Sequence, residues 1–232
     1  MKTSLLKKIL LAQDAKISLA VVTRLEDGAQ LVVEHDVAKG DFTLSSVELS
    51  EVMVCIRDDK SRLISEERYF VHAYNPKLRL IIVGAVHIAQ ALAPMASLSG
   101  FEVIVVDPRG SFANSARFPG MTLLDDWPDE ALVNLTPDTR TAVVTLTHDP
   151  KLDDPALEKA LRSPAFYIAS LGSRRTHGKR LERMKNKGFD DATLDRIHGP
   201  AGFNIGAVSP SEIAISILAE LTSVLHGRTE KK

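Results

Sequence analysis

The sequence predicts an α/β protein: a Rossmann-like parallel sheet with helices on both faces, preceded by a small, mostly antiparallel β layer with one helix. After Asn75-Pro76-Lys77, short apolar strands alternate with amphipathic helices, which is typical of parallel strands joined by right-handed crossovers. Before that point, the turn signal Asp27-Gly28 separates two strand-like runs. Because a proline disfavours continuing a regular element, we expect two domains, residues 1–76 and 77–232.

The first domain is expected to contain one helix and four strands. Apolar residues at helical spacing predict the helix, and these are Leu5, Leu6, Ile9 and Leu10. Strand patterns cover residues 18–24, 30–34, 51–57 and 68–74. Cys55, the single cysteine of the chain, lies in the third strand. It therefore forms no internal disulfide, and a buried structural thiol is favoured over a reactive one.

The second domain shows four predicted strands and five predicted helices. The strands cover residues 78–83, 102–106, 141–146 and 166–171, and the helices cover 88–99, 130–134, 155–162, 176–187 and 209–225. The last helix begins with Ser209-Pro210-Ser211-Glu212, a capping box with proline at the first helical position. Gly188 directly follows the helix at 176–187 and is expected to end it.

Charge and composition exclude several classes of protein. Lys plus Arg number 29 and Asp plus Glu number 30, whereas a nucleic-acid binder usually carries a basic excess. The apolar runs are too short to cross a bilayer, and the N-terminus lacks the features of a secretory signal. The histidines are scattered, so we expect no metal site, and no G-x-S-x-G motif is found. We therefore expect a cytoplasmic protein without nucleic-acid or membrane partners.

The strongest local signal is the turn Gly84-Ala85-Val86-His87, which follows a strand and begins a helix, as a dinucleotide-binding fingerprint does. Asp107 lies 23 residues after Gly84, at the end of the next strand, where an acid can accept a hydrogen bond from a ribose. Val86, however, stands where the fingerprint has its second glycine, and its side chain would obstruct a pyrophosphate. Two interpretations of the turn therefore stay open: a nucleotide site, or a Rossmann-like turn without a nucleotide.

Polar residues follow three later strands or their loops. Thr147-His148-Asp149 ends a strand, where open parallel sheets bind ligands, but it also fits a polar loop with Asp149 in a turn. Gly172-Ser173-Arg174-Arg175 is a strand-to-helix turn suited to an anion, or a helix start with surface charge. The loop at residues 198–207 contains three glycines and is either a binding loop or a connector.

These motifs occur in an order that resembles the C-terminal domain of the XdhC/CoxI proteins. The resemblance extends over about residues 78–225. The segments that carry it are residues 80–89, 100–109, 112–118, 147–157, 167–176 and 197–220. Several motifs in a fixed order make it more specific than any single glycine pattern.

XdhC/CoxI proteins are accessory proteins of xanthine dehydrogenase and related molybdenum hydroxylases. The resemblance implies that this chain binds the molybdenum cofactor (molybdopterin) as cargo, assists its sulfuration and delivers it to an apoenzyme. It thus implies a maturation factor rather than a stand-alone enzyme. The implied partner is a xanthine dehydrogenase-like hydroxylase, and a cysteine desulfurase and a second copy of the chain are further candidate partners of such a carrier. The candidate cofactor-binding residues are Gly84, Ala85, His87, Asp107, Arg109, Thr147, His148, Asp149, Gly172, Ser173, Arg174 and Arg175.

The chain departs from the family pattern at three places. Val86 replaces the second glycine of Gly-Ala-Gly-His, and Ala169 replaces the glycine before Leu-Gly-Ser-Arg-Arg. The first 75 residues lack the glycine-rich, cysteine-containing motif of longer members, so we do not expect Cys55 to relay sulfur. An NAD(P)-dependent oxidoreductase and a nucleotide-sensing module are the alternative functions.

Overall fold

The computed structural model describes residues 3–110 and 112–228, and the chain separates after Pro76 into two compact units. The elements of the N-terminal unit are α1 (Thr3–Asp14), β1 (Leu19–Arg24), β2 (Gln30–Glu34), β3 (Val37–Gly40), α2 (Ser46–Arg57), β4 (Arg62–Ile64) and β5 (Tyr69–Tyr74). The strands form one antiparallel sheet in the order β3-β2-β1-β5-β4. Successive side chains of a strand point to opposite faces, and each face is covered by one helix. Val22 and Val33 pack in a cluster with α2, whereas Val21 and Val32 pack in a cluster with α1.

The prediction of a strand over residues 51–57 is wrong, because these residues belong to α2. Ser45 and Glu48 form a capping box that begins the helix, a signal for a helix N-terminus that the sequence carries. The buried residues Val52 and Cys55 are three positions apart, as on one helix face. The β-branched and apolar residues of this short segment also fit the pattern of a strand, which explains the wrong prediction. Cys55 is buried as expected, although on a helix.

The elements of the C-terminal unit are β6 (Arg79–Val83), α3 (His87–Leu98), β7 (Glu102–Val106), β8 (Thr122–Leu124), α4 (Pro128–Leu135), β9 (Thr141–Thr145), α5 (Pro150–Leu161), β10 (Tyr167–Ser170), α6 (Arg174–Asn186), α7 (Asp191–Leu194), β11 (Ile197–His198) and α8 (Pro210–Leu225). All six strands are parallel and lie in the order β11-β10-β9-β6-β7-β8. This is the dinucleotide-fold order, in which the first strand lies at the centre. The predicted α/β class is confirmed.

Helices cover both faces of this sheet. Leu80 and Ile82 point into an apolar cluster shared with α3 and α8. Ile81 and Val83 point into the opposite cluster, which includes buried residues of α4, α5, α6 and α7. The short elements β8, β11 and α7 were not predicted, because two to four residues are too few to show a period. No helix among the described residues is both long and apolar enough to span a membrane.

Candidate functional site

The loops after β6 and β9 meet at the point where the strand order reverses. β6 pairs with β7 on one side and with β9 on the other, so the crossover direction changes between β6 and β9. Ligands of open α/β sheets bind in the crevice outside the carboxyl ends of the strands at such a point. Gly84 and Thr147 are in close contact there, since a Cβ atom on Gly84 would lie 2.6 Å from Thr147 Cγ2. The structure thus brings together two motifs that lie far apart in the sequence.

The turn after β6 leads into the N-terminus of α3. Gly84 has a φ of +109°, a conformation that favours glycine. Val86 is the N-cap residue of α3 and makes no side-chain capping hydrogen bond within the described residues. Its φ is −89°, which any L-residue adopts, so the second glycine of the fingerprint is not required by backbone conformation. A glycine at position 86 would serve only to leave space for a ligand.

Asp107 fastens this turn to the end of β7. Its side chain is fully buried and accepts hydrogen bonds from Ala85 N at 2.8 Å, Arg109 N at 3.0 Å, Arg109 Nε at 2.8 Å and Arg109 Nη2 at 2.7 Å. Burial raises the pKa of Asp107, but hydrogen bonds from Arg109 and Ala85 outweigh it and hold the pKa below its usual value. Four bonds match the acceptor sites of a carboxylate. Asp107 therefore positions Ala85 and Arg109; a contact with a ribose stays a prediction.

Arg109 belongs to a cationic and aromatic ledge beside the turn. Its guanidinium carbon lies 4.6 Å from the ring centre of Phe112, a half-exposed side chain. Arg117 lies 5.9 Å from the same ring and donates a hydrogen bond of 2.9 Å to Gln90 Oε1 on α3. Stacked guanidinium and aromatic groups can bind a flat, conjugated ligand. The ledge is thus a surface on which a planar ring system can lie.

The loop after β9 is built by two aspartates. Asp153 is buried and accepts hydrogen bonds from Thr147 Oγ1 at 2.6 Å and Thr147 N at 3.3 Å. Asp149 caps α5 by accepting a hydrogen bond from Lys151 N at 2.9 Å. His148, which precedes Asp149, has a φ of +62° and an exposed side chain. The cap explains why α5 begins at Pro150, earlier than the predicted residue 155.

A basic pocket of about 260 Å³ lies between this loop and α6. Its lining is dominated by cationic side chains and consists of His148, Pro150, Asp153, Arg175, Thr176, Lys179, Arg180 and Arg183. Of the predicted site residues, only His148 and Arg175 line it. Ser173 instead caps α6 by accepting a hydrogen bond from Thr176 N at 3.1 Å, and Arg174 is exposed outside the lining. We call this cavity the α6 pocket.

Sequence reasoning missed Asp153, Lys179 and Arg180 as members of the site. A signal for them exists in the helical spacing of α6. Residues four positions apart lie on one side of a helix, so Arg175 predicts Lys179 as its neighbour, and Thr176 predicts Arg180. The burial of Arg180 depends on how α6 packs against the sheet, and the spacing alone does not reveal it.

The loop at residues 198–207 is fastened by the buried Glu220. Glu220 Oε2 accepts hydrogen bonds from Tyr167 Oη at 2.7 Å and Gly202 N at 2.9 Å, and Glu220 Oε1 lies 3.4 Å from His198 Nδ1. Burial and the neighbouring Glu220 raise the pKa of Tyr167 well above its usual value. These contacts indicate a structural role for the base of the loop. Within residues 3–110 and 112–228, no three His, Cys, Asp or Glu side chains cluster so as to hold a metal ion.

The side chain of Val86 gives a first testable prediction. It is half-buried and packs against the apolar cluster beneath α3. Removing it in Val86→Gly opens the N-terminus of α3 to a pyrophosphate, and we expect the affinity for NAD to rise about fivefold, or about 1 kcal/mol. Isothermal titration calorimetry measures this, with Val86→Ala as a control that keeps one methyl group. Tight NAD binding by the unsubstituted protein would show that Val86 is no obstacle.

Comparison with known proteins identifies relatives of this chain. The family model described as the XdhC Rossmann domain matches residues 80–221. The molybdenum cofactor insertion chaperone PaoD of Escherichia coli is 29% identical over 215 residues, which are 92% of this chain and 58% of PaoD. A probable xanthine dehydrogenase component of Bacillus subtilis is 34% identical over 153 residues, 66% of this chain and 44% of that protein.

One solved structure is similar over nearly the whole chain. The crystal structure of a xanthine dehydrogenase from Bacillus halodurans superposes with a TM-score of 0.72 and 27% identity, covering 98% of this chain and 65% of that one. The present chain thus spans less than two thirds of the length of each of these three proteins.

Proposed function

The chain belongs to the XdhC family, and on that basis we propose that it binds the molybdenum cofactor as cargo and delivers it to the apoenzyme of a xanthine dehydrogenase-like hydroxylase. The observation that carries this proposal is the cationic α6 pocket beside the crevice at the strand ends. Molybdopterin bears an anionic phosphate, which such a pocket attracts. The similarity to a cofactor insertion chaperone over 92% of the chain supports the same function.

The crevice also suits the flat part of the cargo. Arg109 and Phe112 form a ledge at the end of β7, and a pterin ring can stack on such a surface. His87 and His148, which follow the ends of β6 and β9, have exposed side chains. A carrier must release its cargo to the next protein, and a site open to solvent on one side permits this exchange.

We propose that the sulfur of the cofactor comes from a separate cysteine desulfurase and not from this chain. Cys55 is 1% exposed and lies in an apolar cluster with Val52 and Val71. Sulfur transfer requires a cysteine sulfur that can reach its partner, and the buried Cys55 is closed off from contact with another protein. The protein then acts as carrier while the desulfurase modifies the cargo.

We further propose a homodimer, in which a second copy of the chain covers the bound cofactor.

Reconstitution tests this function. An apo-hydroxylase is mixed with molybdenum cofactor and a sulfur donor, with and without the protein, and hydroxylase activity is measured. We expect the protein to increase the active fraction, and we expect Cys55→Ser to do so equally, because serine keeps the size of the buried side chain. Loss of activation in a folded Cys55→Ser variant would show that sulfur passes through the thiol.

Native mass spectrometry of the purified protein separates the alternatives. A pterin–molybdenum adduct supports the carrier function. A bound dinucleotide, together with no effect in the reconstitution, would replace it by an NAD(P)-dependent oxidoreductase or a nucleotide-sensing module, the functions that the strand order and the Gly84 turn also fit. Hydride-transfer activity would then distinguish these two.

A further inference from the structure

We propose that the α6 pocket is a phosphate-monoester subsite with the buried Arg180 at its centre, so that the cargo's phosphate lies here and not at the Gly84 turn. The identity of the cargo rests on the proposed function, whereas the anion subsite rests on the pocket itself. The side chain of Arg180 is 2% exposed and yet lines the pocket. A buried arginine that reaches a cavity is an unusual feature, since charged side chains are rarely buried without a partner.

The guanidinium of Arg180 is only partly satisfied by the protein. Nη2 donates a hydrogen bond of 2.8 Å to the carbonyl oxygen of Leu171, the residue after β10. Nε and Nη1 are buried and have no hydrogen-bond partner among the described residues. Leaving donors of a charged group unpaired is costly, so a ligand that supplies acceptor oxygens would be bound favourably. Phosphate oxygens are such acceptors.

Backbone geometry holds this guanidinium at the end of the sheet. Gly172 follows Leu171, and a Cβ atom there would lie 3.1 Å from the side chain of Thr176 and 3.6 Å from Arg180 Nη2. Glycine therefore allows α6 to begin close to the strand end, with Arg180 folded back onto the carbonyl of Leu171. The donor group is fixed before the ligand arrives, which reduces the entropy lost on binding.

The charges around the pocket favour an anion. Arg183 is paired with Asp154 through bonds of 2.5 and 2.9 Å. In the part of the chain that the structure describes, Arg175, Lys179 and Arg180 form no ion pair. The carboxylate of Asp153 is the one acidic group in the lining, and it is occupied by Thr147. Three cations thus face a single carboxylate, and an anion of charge −2 would balance them.

The Gly84 turn is less suited to bind a phosphate than the α6 pocket is. The half-buried side chain of Val86 stands at the N-terminus of α3, and Arg109, the nearest candidate cation, is already bound by Asp107. Molybdate is a tetrahedral oxyanion that shares the shape of phosphate. It is therefore included in the test as a competing occupant.

Calorimetric titration of the full chain with inorganic phosphate, at constant ionic strength, tests the subsite. We expect saturable binding, and we expect Arg180→Lys to weaken it about tenfold or more, because lysine cannot reproduce the donors of the guanidinium. Lys185→Gln is the matched control: it removes a cation from the same helix, but an exposed one that pairs with Asp191 outside the pocket. The affinity of the Lys185→Gln variant for phosphate should stay within about twofold of that of the unsubstituted protein.

A second variant covers the case in which Arg180→Lys does not fold. Arg175 and Lys179 are exposed, so the double variant Arg175→Gln/Lys179→Gln should fold and should bind phosphate about tenfold more weakly. Unchanged phosphate affinity in this variant, or no binding by the unsubstituted protein beyond a chloride control, overturns the subsite. Tighter binding of molybdate than of phosphate would identify a free metal oxyanion as the occupant and would also overturn it.

The same variants separate this inference from the proposed function. If phosphate binding is weakened while the affinity for molybdenum cofactor is unchanged, the cargo's phosphate does not lie in the α6 pocket, although the carrier function stands. If the protein binds phosphate through Arg180 but neither binds the cofactor nor activates the hydroxylase, the subsite stands and the carrier function is wrong. A parallel loss of both affinities is the result that we expect.

Discussion

Gly84→Ala is expected to lower the free energy of unfolding of the C-terminal unit by about 2–5 kcal/mol and to abolish tight binding of the proposed cargo. Two effects add at this position. An L-residue is strained at a φ of +109°, and its Cβ would lie 2.6 Å from Thr147 Cγ2 and 3.2 Å from Thr147 N. Thr147 cannot move away freely, because Asp153 binds both its hydroxyl and its backbone N–H. The substitution therefore pushes apart the two loops of the crevice.

Denaturant titration followed by tryptophan fluorescence measures this effect. Trp127, the only tryptophan of the chain, lies in the C-terminal unit at the start of α4, so its signal reports the unit that contains Gly84. Gly178→Ala is the control, because Gly178 lies inside α6 and an added Cβ would meet no described atom within 4 Å apart from its chain neighbours and the backbone of its own helix. It should stabilise the protein by about 0.5–1 kcal/mol. Equal stabilities of the two variants would show that the turn tolerates a side chain.

Local patterns predicted the C-terminal unit better than the N-terminal one, for a physical reason. Buried parallel strands are continuous apolar runs in the sequence, such as Leu80 to Val83. Each of these runs lies between amphipathic segments. In the N-terminal unit, residues 51–57 combine β-branched residues with helical spacing. The capping box at Ser45 and Glu48 favours the helix over the strand. It lies outside residues 51–57, so the strand pattern of that segment does not include it.

The candidate site shows the same limit. Strand ends could be located from the sequence, and the loops at Gly84 and Thr147, each of which follows a predicted strand, lie at the same edge of the sheet. Arg180 was not among the predicted site residues, because the basic run of Lys179, Arg180 and Arg183 fits a helix start with surface charge as well as an anion site. Its burial depends on how α6 packs against the sheet, and it is accompanied by a hydrogen bond to the carbonyl oxygen of Leu171, nine residues earlier in the turn after β10. A tertiary contact of this kind has no periodic signal in the sequence.

Asp107→Asn is expected to destabilise the C-terminal unit by about 2–4 kcal/mol and to release Arg109 from the crevice. The buried carboxylate accepts four hydrogen bonds, three from Arg109 and one from Ala85. An amide offers a single acceptor oxygen, and its NH₂ group would face donors. At least one buried donor then lacks a partner. Arg109, no longer fixed, should also support the proposed cargo less well, so we expect variant protein that remains folded to bind molybdenum cofactor more weakly.

The pH dependence of stability gives this prediction a sharper form. Because the pKa of Asp107 is lowered in the folded protein, its stabilising contribution is present above the unfolded value of about 3.9 and is lost as the pH falls through the folded pKa. The stability difference between the unsubstituted protein and Asp107→Asn should therefore shrink as the pH is lowered from about 7 to about 3.

Asp153→Asn is the matched control, since burial raises the pKa of Asp153 and an amide oxygen can still accept the hydrogen bonds from Thr147. A group with a raised pKa contributes stability below the unfolded value of about 3.9 and loses it as the pH rises through the folded pKa. The stability of the unsubstituted protein relative to Asp153→Asn should thus fall as the pH increases, whereas its stability relative to Asp107→Asn should rise. Trends of the same sign in the two variants would contradict the division of the crevice into one carboxylate held ionised by Arg109 and one whose charge is opposed by burial.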